Sequence, residues 1–202
     1  MEKNHGLLIV LSGPSGAGKG TICQELLRQM PDLRYSVSMT TRSPRPGEVE
    51  GIHYYFRPRQ EFEAMLARNE LLEWAEFCDN YYGTPLFAVE QAILDGRDVI
   101  LEIDIQGAMQ IKKRFPQGVF TFIIPPSLDV LSERIHKRGT ETEEVIQKRL
   151  ATAIQELEYV DEYDYVVIND EVLAAVEKLK SILVAEKCRV KRKPFVFKGE
   201  YK

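Results

Sequence analysis

Apolar positions change their spacing several times along the chain, and each change marks an element. Leu7-Leu8-Ile9-Val10-Leu11 is an unbroken apolar run of strand length. Ile22, Leu26, Leu27 and Met30 then recur at helical spacing, and Pro31-Asp32 ends that helix. Residues 34–56 lose the rhythm. Ser36-Val37-Ser38-Met39-Thr40-Thr41 and His53-Tyr54-Tyr55-Phe56 are β-prone and flank a charged, turn-rich loop, Arg42 to Glu48. A short helix near 59–68 carries Phe62, Met65 and Leu66, and aromatic β-like sequence continues to Gly83. The rhythm resumes with a helix over Phe87–Leu94 closed by Gly96, then a strand over Val99–Asp104 whose apolar character suits a buried parallel sheet. A helix near 107–114 and the strand Val119–Ile124, stopped by Pro125-Pro126, follow. Ser127 is placed to cap a helix with Leu128, Leu131 and Ile135 on one face. Thr140-Glu141-Thr142-Glu143 offers a capping box for a second helix carrying Ile146, Leu150, Ile154 and Leu157. Tyr165–Ile168 reads as the last strand, with Asn169-Asp170 capping a final helix buried through Val172, Val176, Leu179 and Leu183.

The pattern predicts one α/β domain. Its core comprises residues 1–33, 87–126 and 159–202, interrupted by an α+β insert at 34–86 and a two-helix unit at 127–158 able to move as a lid.

The junction of first strand and first helix carries the most specific chemistry. Gly13-Pro14-Ser15-Gly16-Ala17-Gly18-Lys19-Gly20-Thr21 has a G-x-x-x-x-G-K frame between a strand and a helix, the context of a phosphate-binding loop. Glycines at 13, 16 and 18 let successive backbone N–H groups point inward at a polyphosphate. The helix N-terminus adds its positive dipole, and Lys19 can reach the terminal phosphates as a mobile charge. The residue after the lysine, usually Ser or Thr for Mg²⁺, is Gly20, and the hydroxyl comes one residue later at Thr21.

Composition narrows the class. A 202-residue chain with 44% hydrophobic and 29% charged residues is an ordinary globular domain, and a net charge of −4 gives no general attraction to nucleic acid or membrane. The basic run Lys187–Lys193 reads as a solvated helix end. Cys23, Cys78 and Cys188 are too scattered for a disulfide framework or zinc site and point to a reducing compartment. With no signal-peptide layout and no apolar run near ~18 residues, the expected location is the cytoplasm.

A second anionic substrate is indicated by clusters elsewhere. Arg42-Ser43-Pro44-Arg45-Pro46-Gly47 sets two guanidiniums on a stiff loop suited to forked phosphate recognition. Tyr54 and Tyr82 supply hydroxyls in the same region, Glu73 lies in Leu72-Glu73-Trp74-Ala75, and the lid holds Arg134, Arg138 and Arg149.

Taken together, these residues resemble the guanylate kinases, nucleoside monophosphate kinases that make GDP from GMP and ATP. The resemblance spans essentially the whole chain. It is carried by Ser12–Lys19, Ser36-Val-Ser-Met-Thr-Thr-Arg-Ser-Pro-Arg-Pro-Gly-Glu48, Glu73-Trp74, Asn80-Tyr-Tyr-Gly-Thr84, Ile103-Asp-Ile-Gln-Gly107 and Arg138-Gly-Thr-Glu-Thr-Glu143. It implies a three-layer P-loop kinase fold with a parallel central sheet, a GMP-binding insert and a helical lid. By the same resemblance the GMP (or dGMP) phosphate would sit among Arg42, Arg45, Tyr54 and Tyr82. Guanine would be read by Ser38, Glu73 and Thr84 with Asp104 nearby, and residues 13–21 with Lys19 would hold ATP. Arg134, Arg138 and Arg149 would close over the transferring group beside Arg42. Base chemistry agrees, since guanine N1–H and N2–H are adjacent donors that one carboxylate accepts together.

Mg²⁺ would be steered through water by Thr21, Glu102 or Asp104. Two departures bear on it: Gly20 replaces a common Ser, and Glu102 stands where Asp is common. A catalytically inert interaction module of the same family would have lost such residues, whereas Lys19, Arg42, Arg45, Glu73 and the lid arginines are all present. A regulatory GTPase needs an Asn-Lys-x-Asp motif, which is absent. Against another monophosphate kinase only the Glu73 and Thr84 region speaks.

Overall fold

The computed structural model describes residues 5–77, 79–137 and 143–192. Its central sheet has five parallel strands in the order β2 (Arg34–Tyr35), β7 (Val99–Glu102), β1 (Leu8–Ser12), β8 (Val119–Ile124), β9 (Tyr165–Ile168). Side chains alternate between the two faces of a strand, so each strand serves two layers. On one face Ile9, Leu11 and Ile123 meet Ile22 and Leu26 of α1 (Lys19–Gln29) and Val176, Leu179 and Leu183 of α7 (Val172–Lys187). On the other, Leu8, Val10 and Phe120 meet Val89 of α3 (Leu86–Leu94) and Ala108 and Ile111 of α4 (Ile105–Arg114).

A second, four-stranded sheet runs β4 (Tyr55–Phe56), β3 (Met39–Thr40), β6 (Asn80–Pro85), β5 (Leu71–Phe77), with Phe62 of α2 (Arg59–Ala67) packed against Met39 and Leu71. The sheet is tied to the core through α4. The Gln110 amide donates to Trp74 O at 2.7 Å and accepts the Trp74 N–H at 3.1 Å, while Arg114 donates to Leu71 O and Leu72 O at 2.7 and 2.8 Å. Helices α5 (Leu128–His136) and α6 (Glu143–Leu157) form a separate small core of Leu131, Ile135, Ile146, Leu150 and Ala153. Among the described residues no helix is long and apolar enough to cross a membrane.

Several expectations change. Arg34–Tyr35, read as the start of the insert, pair with β7 in the central sheet. The strand expected over 99–104 stops at Glu102, and Asp104 instead caps α4 by accepting the Gly107 N–H at 2.8 Å. Asn169-Asp170 do not cap the last helix; its N-cap is Glu171, with no side-chain hydrogen bond, because Asn169 is engaged elsewhere. On α6, Ala153 is buried and Ile154 is exposed, so the packed stripe runs through 146, 150 and 153. Ser127 does cap α5, its hydroxyl accepting the Val130 N–H. The capping box expected at Thr140–Glu143 lies largely outside the described residues. Of the basic C-terminal run, Lys187 pairs with Asp98 at 2.5 Å, and Arg189 and Arg192 pair with buried Glu186, so these charges are met within the protein.

Candidate active site

The phosphate loop leaves the carboxyl end of β1 and turns into α1. Two glycines are required by what surrounds them. Gly13 has φ 139°, and a Cβ there would lie 2.2 Å from Ile123 O. Gly18, at φ 88°, is the N-cap of α1, and a Cβ there would lie 2.3 Å from Asn169 Nδ2. Both positions combine a left-handed backbone with no room for a side chain. Lys19 Nζ donates to Gly13 O at 2.5 Å and Pro14 O at 3.1 Å, holding the ammonium over the loop mouth.

Helix α6 reaches the same loop. Arg149 Nη2 donates to Ser15 Oγ at 2.7 Å, and Glu156 Oε2 accepts the Ser15 N–H at 3.3 Å. Burial raises the Glu156 pKa, against the opposing pull of that N–H and of Lys19. Arg134 of α5 donates to Asn169 O at 3.0 Å and to Ala17 O at 3.5 Å. Arg138, expected beside them, lies outside the described residues.

Across from the loop, the second sheet supplies the other wall. A cleft of about 260 Å³ is lined by Lys19, Ser38, Tyr54, Glu73, Tyr82, Glu102 and Asp104, together with Ala75, Gly83 and Ile103. Glu73 and Thr84 are cross-strand partners in β5 and β6, and the Thr84 hydroxyl donates to Glu73 Oε1 at 2.6 Å. Burial lifts the Glu73 pKa to about 7; the Thr84 hydrogen bond opposes the rise and the Asp104 charge adds to it. Gly107, the third residue of α4, leaves the space this carboxylate needs: a Cβ there would lie 2.6 Å from Glu73 Oε2.

Arg42 lies with its guanidinium 5.0 Å from the Tyr54 ring centre, and the Tyr54 and Tyr82 rings meet edge to face at 6.0 Å. Burial raises the Tyr54 pKa despite the Arg42 charge, so its phenol keeps the proton it can donate. Arg42 is further bound by Glu48, whereas the Arg45 side chain is exposed.

The two departures noted in the sequence face each other. A Cβ on Gly20 would lie 3.3 Å from Glu102 Oε1, so the longer acidic arm occupies space that a residue with a side chain at 20 would share. Thr21, one residue on, is exposed. Among the described residues no group of three or more His, Cys, Asp or Glu side chains could hold a metal ion.

The sequence reading missed Asn169 as part of the site. Its Nδ2 donates to Ala17 O at 2.7 Å, clamping the phosphate loop from the far side. It follows the carboxyl end of β9, and in open parallel sheets ligands gather outside those ends, which is the signal that would have found it. Glu156 was missed too, though it lies seven residues from Arg149, on the same face of α6.

Comparison with known proteins gives one consistent result. The family model described as guanylate kinase matches residues 5–186. A guanylate kinase of Desulfitobacterium hafniense (strain Y51) is 76% identical over 199 residues, covering 98% of this chain and 100% of that protein. The guanylate kinase of Bacillus subtilis (strain 168) is 54% identical over 191 residues, 94% of each chain. Among solved structures, guanylate kinase from Anaplasma phagocytophilum matches with a TM-score of 0.78 at 34% identity, covering 94% of this chain and 90% of that one.

Proposed function

The chain belongs to the guanylate kinase family and catalyses ATP-dependent phosphorylation of GMP to GDP, and from that premise we propose that the cleft between loop and second sheet is where the two nucleotides meet. The carrying observation is that Lys19 of the loop lines one cleft with Ser38, Tyr54, Glu73 and Tyr82 of the insert. A donor polyphosphate on the loop and an acceptor phosphate beside Arg42 and Tyr54 would then share one enclosure.

Residue roles follow from that arrangement. The N–H groups of the loop from Ser15 to Lys19 and the α1 dipole bind the ATP phosphates, with Lys19 leaving its loop carbonyls to follow charge onto the transferring group. Arg42, Tyr54 and Tyr82 hold the GMP phosphate, and Arg45 joins them as the loop closes. Ionised Glu73 accepts guanine N1–H and N2–H, with the Thr84 and Ser38 hydroxyls beside it. dGMP presents the same base and phosphate and is a second acceptor. An acceptor phosphate is already anionic, so in-line attack by its oxygen needs no dedicated base. Arg134, Arg138 and Arg149 neutralise charge on the transferring phosphoryl group, and lid closure excludes water that would otherwise take it.

The residues present fit Mg²⁺ of the kind that keeps its waters and arrives with a nucleotide, because Glu102 and Asp104 line the cleft and, among the described residues, no all-protein cage surrounds them. Glu102 and Asp104 would accept hydrogen bonds from those waters; Thr21 is less well placed, since it is the Cα of Gly20 that faces Glu102. When bound, the ion neutralises charge on the ATP phosphates.

The test is an ADP-release assay with GMP, dGMP, AMP, CMP and UMP as acceptors. Turnover with GMP and dGMP and at least a hundredfold lower kcat/KM for the others is expected; comparable turnover with AMP would overturn guanine recognition by Glu73.

A further inference from the structure

Glu48 ends the proline-stiffened loop, and its carboxylate is bound three times. Oε1 accepts from Arg42 Nη2 at 2.6 Å, while Oε2 accepts from Arg42 Nη1 at 2.6 Å and from the Arg45 N–H at 2.7 Å. A turn closed by the Glu48 N–H on Arg45 O, with Gly47 at φ 86°, curls Glu48 back onto Arg42. The two side chains are only 12% and 18% exposed.

The count of donors on Arg42 decides what this pairing does. A guanidinium carries five N–H groups in a rigid plane. Glu48 takes one from each terminal nitrogen, and Ser43 O accepts from Nη1 at 3.0 Å. Glu48 and Ser43 leave the Nε–H and the outer Nη2 proton, a second fork on a different edge; the Tyr82 hydroxyl also hydrogen-bonds this guanidinium and stands beside it as a second phosphate ligand. The face of the plane is covered by Tyr54 and Phe56, at 5.0 and 5.8 Å. The carboxylate therefore fixes the guanidinium without using the side fork.

We infer that Glu48 is a positioning residue for the acceptor nucleotide: it clamps the end of Arg42 so that the Nε–H/Nη2–H edge is presented to the GMP phosphate as a fixed fork. The inference rests on the reading of Arg42 as a phosphate ligand. Its physical basis is preorganisation, since an unclamped arginine must give up its rotamer freedom each time substrate binds. The Arg42 hydrogen bonds, and then the Arg45 N–H, hold the Glu48 pKa down to about 2, so the clamp is ionised at any working pH. A carboxylate that merely competed for Arg42 would have the opposite effect, because its removal would raise the positive potential at the site and tighten GMP binding.

The two signs separate in a double-mutant cycle on the full chain, with Glu48→Gln, Arg42→Lys and the pair, measuring kcat, KM for GMP, KM for ATP and melting temperature. Glu48→Gln should raise the KM for GMP by about tenfold with kcat, ATP KM and melting temperature little changed, and Glu48→Asp, which keeps the charge, should recover part of the loss. In the Arg42→Lys background, which has no fork to orient, Glu48→Gln should change the KM for GMP by less than about twofold. If Arg42→Lys alone leaves that KM at the wild-type value, the arginine is not a phosphate ligand and the underlying reading fails. If Arg42→Lys raises it but Glu48→Gln leaves it unchanged, lowers it, or acts equally in both backgrounds, the positioning role is overturned. A lowered melting temperature with unchanged GMP kinetics overturns it as well.

Discussion

Thr84 Oγ1 and Glu73 Oε1 lie 2.6 Å apart across β5 and β6, the threonine fully buried and the glutamate 6% exposed. The hydrogen bonds from Thr84 do not replace the water this carboxylate has lost, which is why its pKa climbs to about 7. Near neutral pH the cleft therefore holds a carboxyl group poised between its two forms, and on the proposed reading of Glu73 only the ionised one can accept two guanine donors.

GMP binding should accordingly expel a proton from Glu73. Calorimetric titration at pH 7 in two buffers of different ionisation enthalpy is expected to show a release that Glu73→Gln abolishes. An equal release from both proteins would assign the proton to the nucleotide phosphate, whose own second pKa is about 6.

The same carboxyl weakens the fold at alkaline pH. Its folded pKa, about 7, lies above the unfolded value of about 4.3, so the folded chain retains a proton that the unfolded chain has lost. Its contribution to stability is complete below the unfolded value and is lost as pH rises through 7. Glu73→Gln should therefore melt higher than wild type at pH 8, with the gap closing towards pH 4.5. A gap independent of pH would show that Glu73 ionises in the fold without penalty.

Lys19 rests on the carbonyls of Gly13 and Pro14 and projects into the loop rather than the core. Lys19→Met should lower kcat by roughly two or more orders of magnitude while leaving the fold intact, as for removal of a principal electrostatic stabiliser. A folded variant making GDP at near-normal rate would sink the phosphate-loop assignment.

Gly20 and Glu102 form a matched pair, with 3.3 Å between a Cβ at 20 and the carboxylate. Gly20→Ser alone should push Glu102 aside and reduce kcat/KM for MgATP severalfold, whereas Gly20→Ser with Glu102→Asp should recover it. Thr21→Val, altering an exposed side chain, should leave the Mg²⁺ dependence unchanged. An additive double variant would show that the two positions are independent.

Asn169 holds the loop through Ala17 O, and its own carbonyl receives Arg134. Asn169→Ala leaves the buried Ala17 carbonyl only the long 3.5 Å contact from Arg134, a loss of about 1–3 kcal/mol at most, and should raise the KM for ATP without moving that for GMP. Denaturant unfolding beside two-substrate kinetics checks both; a shift confined to GMP would contradict the geometry.

What the sequence by itself determined was whatever neighbouring residues could settle. The glycine frame sits between β1 and α1, with Lys19 opening the helix, because a strand-length apolar run and a helical stripe flank it. The Ser127 cap and the placement of α2, β8 and β9 were legible for the same reason, since backbone hydrogen bonding and side-chain periodicity act within a few residues. The family resemblance extended this reach by supplying pairs such as Glu73 and Thr84, which no local rule connects. Only the tertiary structure decided contacts between distant stretches. Asn169 looked like a helix cap until it was found 152 residues from its partner Ala17, and Glu156 reaches Ser15 across 141. Asp104 looked like the end of a strand until the α4 amides turned towards it. Arg34–Tyr35 looked like insert until the edge of β7 offered them backbone partners. Asn169, Glu156 and the Arg34–Tyr35 backbone each had a local role open to them and took a distant partner, which only the folded chain brings within hydrogen-bond reach.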